Sequence, residues 1–401
     1  MTVEREYTEG RTTFLSADVE YYSGDKKQIR ANLPVFYNPR MRLNRDMSVL
    51  FLSSYLRDNT IRSLCEPLTG SGVRTLRYLK EVPGNFTAKM FDVNPNAVEV
   101  VQKNIRLLNL ENRAKVLRGD ARLLLLSESR EERFDYVDVD PFGTPAPYLN
   151  AAIQSLNPDG GLLALTATDM PVLCGTYQKV ALRRYGGFSI KAPFVHEIAV
   201  RLLEGFVFRV AGLNDCSMLP LAILSTDHYV RVWVKVEADR ERANSQAESL
   251  GVIRYCEGCM QTQTIPQRAR YEDIAFEHAI PDCRGPIRIA GPLWIGDLFN
   301  KEYLEHAQES FKDDDASLYH KRVPRILEEM LEESTLTDFP FIDLHSLCDL
   351  HNLTPPSNYD ILECLKDAGH SVARTHFSPT AIRTNASVHE VTSAIASLMR
   401  R

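Results

Sequence analysis

The sequence predicts an α/β fold with a doubly wound sheet in its N-terminal part, on three observations. Short apolar runs alternate with longer amphipathic segments from about residue 45 to residue 170, as in parallel strands joined by right-handed helical crossovers. Carboxylates close three of the apolar runs, at Glu66, Asp92 and Asp120. A glycine-bearing turn, Thr69-Gly-Ser-Gly-Val73, follows the first of them, where a chain passing from strand to helix leaves backbone N–H groups open to a ligand.

Taken along the chain, residues 61–66 read as a strand and the segment after the turn as a helix through Leu79. Residues 87–92 form the next expected strand and 96–110 the next helix. Strands follow at 115–120, 134–140 and 160–168, short and rich in Val, Leu and aromatic residues. Residues 219–224 and 229–236 continue the pattern, and the clean alternation of the second predicts an antiparallel or edge strand. The polar stretch 238–249 suits a boundary, so the expected domains are residues 1–240 and 241–401. Beyond it come a small cysteine-bearing region, a charged helical stretch from 298 to 333, and residues 343–373. The last read as two short helices broken by Thr354-Pro-Pro-Ser, a helix-turn-helix or winged-helix-like unit.

Composition narrows the class. The chain has 401 residues, 44% hydrophobic and 25% charged, enough for two or three packed domains. Its first ten residues carry charge where a signal peptide needs an apolar core, and no apolar run approaches the roughly 18 residues of a membrane span. Work in the cytoplasm is expected, with no membrane and no obligate protein partner. The net charge of −6 argues against a nucleic-acid partner on composition alone, unless the cations gather on one face. Of eight cysteines, five are scattered singly, as suits free thiols in a reducing compartment.

In an open parallel sheet ligands collect beyond the carboxyl ends of the strands. Asp92 is placed there to accept from two ribose hydroxyls, and Asp120 with Ala121 to border an adenine. Each acid alone is more often a helix N-cap than a ligand. Gly70-Ser-Gly72 is followed by Val-Arg-Thr, so the G-x-G-x-x-G fingerprint of NAD sites is missing. The ordered set of carboxylate, glycine turn and carboxylate favours S-adenosyl-L-methionine.

The strand at 134–140 runs into Asp138-Val-Asp-Pro-Phe-Gly-Thr-Pro145. Acid, proline and aromatic in succession resemble the tetrapeptide of methyltransferases acting on amines conjugated to a ring or carbonyl. Such a nitrogen is a poor nucleophile because its lone pair is delocalised. Asp140 would accept one N–H and take up the charge that develops on transfer. Phe142 would offer a face for an extracted base. The same residues also suit an ordinary strand-end turn.

Further motifs run in order through the chain: Val35-Phe-Tyr-Asn-Pro-Arg-Met41 with Asn44-Arg-Asp46, Asp140-Pro-Phe-Gly143, and Thr166-Ala-Thr-Asp169 with Leu173-Cys-Gly175. His196-Glu197, Gly291-Pro-Leu-Trp-Ile-Gly296 and Arg374-Thr-His-Phe-Ser-Pro-Thr380 complete the set. With these the chain resembles the tRNA guanosine-26 N2,N2-dimethyltransferases of archaea and eukaryotes, over residues 35 to 386. The resemblance implies a Rossmann-like class I methyltransferase fold, two successive methyl transfers and cofactor contacts from Arg45 and Arg74. It also implies room for the first methyl beside a small residue such as Thr144 or Ala167. Thr168, Asp169, His196 and Glu197 receive no chemistry. The rivals are a methyltransferase acting on a DNA base or a protein glutamine, and a non-catalytic tRNA-binding protein.

Two further regions bear on binding. Arg374, His376, Phe377 and Arg383 mix cationic and aromatic groups, as suits phosphate and stacking contacts with structured RNA. Lys179, Arg183, Arg184 and Lys191 make a second basic candidate. Cys256-Glu-Gly-Cys259 is half of a zinc site, to which Cys283 adds a thiolate and His278 a fourth ligand, with Asp282 behind it. A structural Cys3His zinc and a relic with free thiols both fit.

Overall fold

The computed structural model describes residues 2–23, 33–226, 228–269, 274–338 and 340–399. They gather into two compact units that interleave along the chain. The first holds Met1–Thr166, Val234–Ala238 and Glu302–Leu327, and the second Ala167–Trp233, Asp239–Lys301 and Glu328–Arg401. This differs from one cut near residue 240. The reason is that 167–233 packs with later residues while 302–327 returns to the first unit.

In the first unit an antiparallel hairpin, β1 (Glu4–Glu9) and β2 (Thr12–Ala17), precedes a parallel sheet. Its strands are β3 (Ser63–Glu66), β4 (Thr87–Asp92), β5 (Ala114–Arg118), β6 (Tyr136–Val139) and β7 (Gly161–Ala167), in the order β5-β4-β3-β6-β7. Every residue of β3, β6 and β7 is buried, which explains why they read as unbroken apolar runs. Strand order reverses between β3 and β6, so a crevice opens beyond their carboxyl ends. Glu66 ends β3 and Asp140 follows β6.

Capping fixes where the crossovers start. Asn94 accepts from the Asn96 N–H at 3.0 Å with Pro95 in the first turn of the helix Pro95–Leu107. Asp120 accepts from the Arg122 N–H at 2.9 Å to start Ala121–Glu128. The helix Arg42–Asp58 is buried almost throughout from Leu43 to Tyr55. Residues 302–327 cover it: the Tyr303 hydroxyl donates to the Phe51 carbonyl and Ser54 to the Tyr303 carbonyl, both at 2.6 Å. The His320 N–H donates to Asp46 at 2.7 Å.

In the second unit β8 (Ser217–Thr226) pairs with β9 (Tyr229–Glu237), alongside the helix Val195–Gly212. The strand expected at 229–236, antiparallel or edge, forms as β9, and its residues are buried on both faces. Arg231 and Trp233, its polar-face positions, are fully buried, with the guanidinium 4.7 Å from the centre of the indole ring. The antiparallel sheet β11-β10-β12 is built from β10 (Leu250–Cys256), β11 (Thr262–Pro266) and β12 (Ile287–Trp294). A winged-helix-like group follows. It contains the helices Leu344–His351, Asn358–Asp367 and Val388–Leu398 with β13 (Ile342–Asp343), β14 (Val372–Arg374) and β15 (Ala381–Thr384). The polar stretch after Glu237, read as a boundary, forms the helix Arg240–Gln246, capped by Asp239. Among the described residues no helix is long and apolar enough to cross a membrane.

Candidate active site

The turn after β3 is built by backbone geometry that only its glycines meet easily. Gly70 has φ +54° and Gly72 φ +78°, and a side chain on Gly70 would start 3.0 Å from the Phe36 carbonyl oxygen. So seated, the Gly70 N–H donates to Asp92 at 2.9 Å, the Asn94 N–H to the other oxygen of the same carboxylate at 2.9 Å, and the Ser71 N–H to the Phe36 carbonyl at 3.2 Å. Two backbone donors thus orient Asp92 at the end of β4. Burial nevertheless raises its pKa, against the pull of these backbone bonds.

Glu66 is almost fully buried and accepts from the Thr75 hydroxyl at 2.6 Å and the Thr69 hydroxyl at 3.1 Å. Burial pushes its carboxyl up to about 7, against the opposing pull of Arg74. Asp120 is different. It lies in the open, clasped by the Arg122 side chain at 2.9 Å, and those hydrogen bonds bring it down to about 2. Ala121 beside it is buried.

Arg74 joins the ends of β3 and β6. Its side chain is 3% exposed, and one Nη donates to Ser48 at 2.9 Å while the other meets Asp140. Its Nε lies 3.8 Å from Glu66 and 3.9 Å from Asp138. Asp138, fully buried, also accepts from the Tyr78 and Tyr136 hydroxyls at 2.6 and 2.8 Å. One guanidinium therefore compensates three carboxylates and holds the partly exposed Asp140 in a fixed direction. The sequence contains a signal for this arrangement, since Asp138 in β6 and Asp140 just past its end are acids two residues apart.

Phe142 is 62% exposed, and the Phe36 ring meets it edge-on, with centroids 4.4 Å apart at 78°. Phe36 received no role in the sequence reading, nor did Ser48, because each acts through a contact distant in the chain. Arg45, expected at a cofactor, makes a bidentate pair with Glu9 at 2.5 and 2.7 Å and donates to the Asn38 carbonyl at 2.9 Å. It fastens β1 to the loop carrying Phe36. Thr144 accepts from the Ala146 N–H at 3.3 Å, and Ala167 is buried at the end of β7.

In the second unit Glu197, Arg383 and Glu333 form a fully buried ionic chain. Arg383 donates to Glu197 at 3.1 Å and to Glu333 at 2.9 Å, and Arg201 pairs with Glu197 at 2.8 Å. His376 contacts Glu333 at 2.5 Å and receives the Ser225 N–H at 3.3 Å. The expectation that Arg383 and His376 meet RNA is therefore corrected: both are internal, and their polar atoms face protein partners. Arg374 pairs with Glu328 and Glu332, and Phe377 stacks on Phe341 at 5.4 Å. Asp169 holds Arg184 at 3.0 Å and the Tyr185 hydroxyl at 2.7 Å, and His196 lies 3.5 Å from Ser225.

The expected zinc ligands do converge. Ligand atoms of Cys256, Cys259, His278 and Cys283 all lie within 4.8 Å of one another, with 3.7 Å between the Cys256 and Cys283 sulfurs and 3.5 Å from Cys259 to His278 Nδ1. A tetrahedron with bonds of about 2.3 Å has edges of roughly 3.8 Å. Gly258 and Gly285 leave the space, since a side chain on Gly285 would start 2.5 Å from the Gly258 Cα and 3.0 Å from the Cys256 sulfur. Donor set and spacing fit a structural zinc ion.

A family model described as N2,N2-dimethylguanosine tRNA methyltransferase matches residues 14–396. Among similar proteins, a tRNA (guanine(26)-N(2))-dimethyltransferase of Methanosphaera stadtmanae is 35% identical over 376 residues, covering 92% of each chain. One of Methanothermobacter thermautotrophicus is 34% identical over 377 residues, covering 94% of this chain and 96% of the relative. A solved structure of Trm1 from Pyrococcus horikoshii with S-adenosyl-L-methionine superposes with a TM-score of 0.81 at 26% identity, covering 98% of this chain and 99% of that one. With the family's pattern spanning nearly its whole length, the chain belongs to the N2,N2-dimethylguanosine tRNA methyltransferases.

Proposed function

We propose that this protein methylates the exocyclic N2 of guanosine 26 in tRNA, twice in succession, working in the cytoplasm with S-adenosyl-L-methionine. The observation that carries the reading is the Asp140 carboxylate, fixed by buried Arg74 at the switch point beside exposed Phe142. When bound, the cofactor supplies an electrophilic methyl on a sulfonium. Asp92 would accept from its ribose, Asp120 and Ala121 would border its adenine, and Arg74 would complete the pocket, with Arg45 supporting it through Glu9 and the Asn38 carbonyl.

The guanine leaves its stack and rests against Phe142, a contact worth roughly 1–3 kcal/mol. Asp140 accepts one N–H of the amine, which draws the nitrogen lone pair out of conjugation and toward the methyl. As the nitrogen–carbon bond forms and the carbon–sulfur bond breaks, the proton of that nitrogen passes to the carboxylate. Because Arg74 already fixes Asp140, little reorganisation accompanies this charge movement. The second transfer needs the first methyl to turn aside, into space bordered by Thr144 or Ala167. In this reading catalysis belongs to residues 1–240, and residues 241–401 contribute to tRNA contact without being its sole source.

The test is transfer of labelled methyl to an unmodified tRNA transcript, followed by nucleoside analysis. Dimethylguanosine at position 26 is expected, and Asp140→Ala should lose at least about a hundredfold in rate while still binding cofactor. Label in another base or in protein, or an undiminished Asp140→Ala rate, would refute it.

A further inference from the structure

Between residues 170 and 196 the chain carries four cations, Lys179, Arg183, Arg184 and Lys191, and no acid, in a protein of net charge −6. Lys179 and Arg183 stand one turn apart on the helix Gln178–Tyr185 and are exposed, so they share a face. Arg184 is spent internally on Asp169, which ties the helix down. Among the described residues, Lys179 and Arg183 have no such acidic partner, and neither does Lys191. Aromatic surface lies in the same stretch: Tyr177 is 56% exposed and Phe188 42%. The loop expected to meet RNA, in contrast, has its arginines paired with Glu197, Glu328, Glu332 and Glu333.

We propose that the helix Gln178–Tyr185, with the segment running on to Lys191, is an RNA-contacting surface. Lys179 and Arg183 neutralise backbone phosphates, and Tyr177 and Phe188 offer rings to riboses or unstacked bases. The rings are why a nucleic acid fits better than an acidic peptide, which would use the cations alone. The inference rests on the tRNA methyltransferase reading and adds where the substrate is held.

The experiment is direct binding of unmodified tRNA transcript by the full chain over a range of salt. Each lost phosphate contact flattens the slope of log K against log salt by about 1. Lys179→Glu with Arg183→Glu should therefore weaken tRNA binding on the order of tenfold near physiological salt and flatten the slope by about 2. Affinity for S-adenosyl-L-methionine alone should stay as in wild type, and reversal of exposed Lys115 should leave the tRNA slope unaltered. If the double reversal fails to fold, Lys179→Gln with Arg183→Gln carries the same expected slope change. Wild-type affinity and slope in a folded variant overturn the surface, even if the wild type methylates guanosine 26. A wild type that neither binds nor methylates tRNA overturns the functional reading instead.

Discussion

The carboxylates at the ends of neighbouring strands have different charge habits because their surroundings differ. Asp120 is held ionised in the open by Arg122, whereas Glu66 is buried in the sheet, which raises its carboxyl against the opposing pull of Arg74 and the Thr75 and Thr69 hydroxyls. Burial raises the Glu66 carboxyl from 4.5 to about 7, so between these values the folded chain keeps a proton that the unfolded chain releases. This contribution is fully present below about pH 4.5 and is lost as pH rises through about 7. From about pH 5.5 to about pH 8 the cofactor-free wild type should lose about 2 kcal/mol of unfolding free energy more than Glu66→Gln does. Parallel pH profiles from urea titrations would rule this out. The positions of Glu66, Asp92 and Asp120 were readable because strand periodicity marks where each apolar run ends. Their protonation was not, since it depends on neighbours brought in by the fold.

At the scale of the element, one composition served two very different structures. Arg374 to Thr380 with Arg383 has the cations, hydroxyls and rings of an RNA-binding loop, yet the structure makes most of it a seam inside the second unit. The partners that decide this, Glu197 and Glu333, stand 186 and 50 residues from Arg383, so no local pattern reports them. The same limit hid the burial of Arg231 and Trp233, whose alternation with valines predicted only an antiparallel or edge strand. A seam of this kind has a testable character. Arg383→Gln leaves Glu197 and Glu333 buried beside one another without their shared cation, and should cost roughly 3–5 kcal/mol. Measured under conditions where the variant is still folded, the salt slope of tRNA binding should be the wild-type one. A normal melting temperature with a flattened slope would restore Arg383 to the RNA surface. The cysteine region was more legible, because Cys-x-x-Cys spacing is a local feature. The choice of His278 as the fourth donor required only that the intervening chain fold back.

For the molecule as a whole, a linear reading recovered the strand succession, the glycine turn and the winged-helix-like end, because each is a property of adjacent residues. It missed how the chain revisits its own first unit. The core helix Arg42–Asp58 is closed by residues that come more than two hundred positions later, through Tyr303 to Phe51 and Ser54, and through His320 to Asp46. Asp46 is fully buried and shares its carboxylate between Arg77 and the His320 N–H. Removing the later segment would wet an apolar helix face and leave this buried acid short of a donor. Residues 1–240 alone, which the polar stretch after Glu237 invites one to express, also lack the partners of 167–233. That fragment should therefore show no cooperative thermal transition and no S-adenosyl-L-methionine binding by calorimetry, while the full chain shows both. A fragment that melts sharply and binds the cofactor with full-chain affinity would mean that the returning segment is dispensable, and that the boundary near residue 240 divides independent folding units after all.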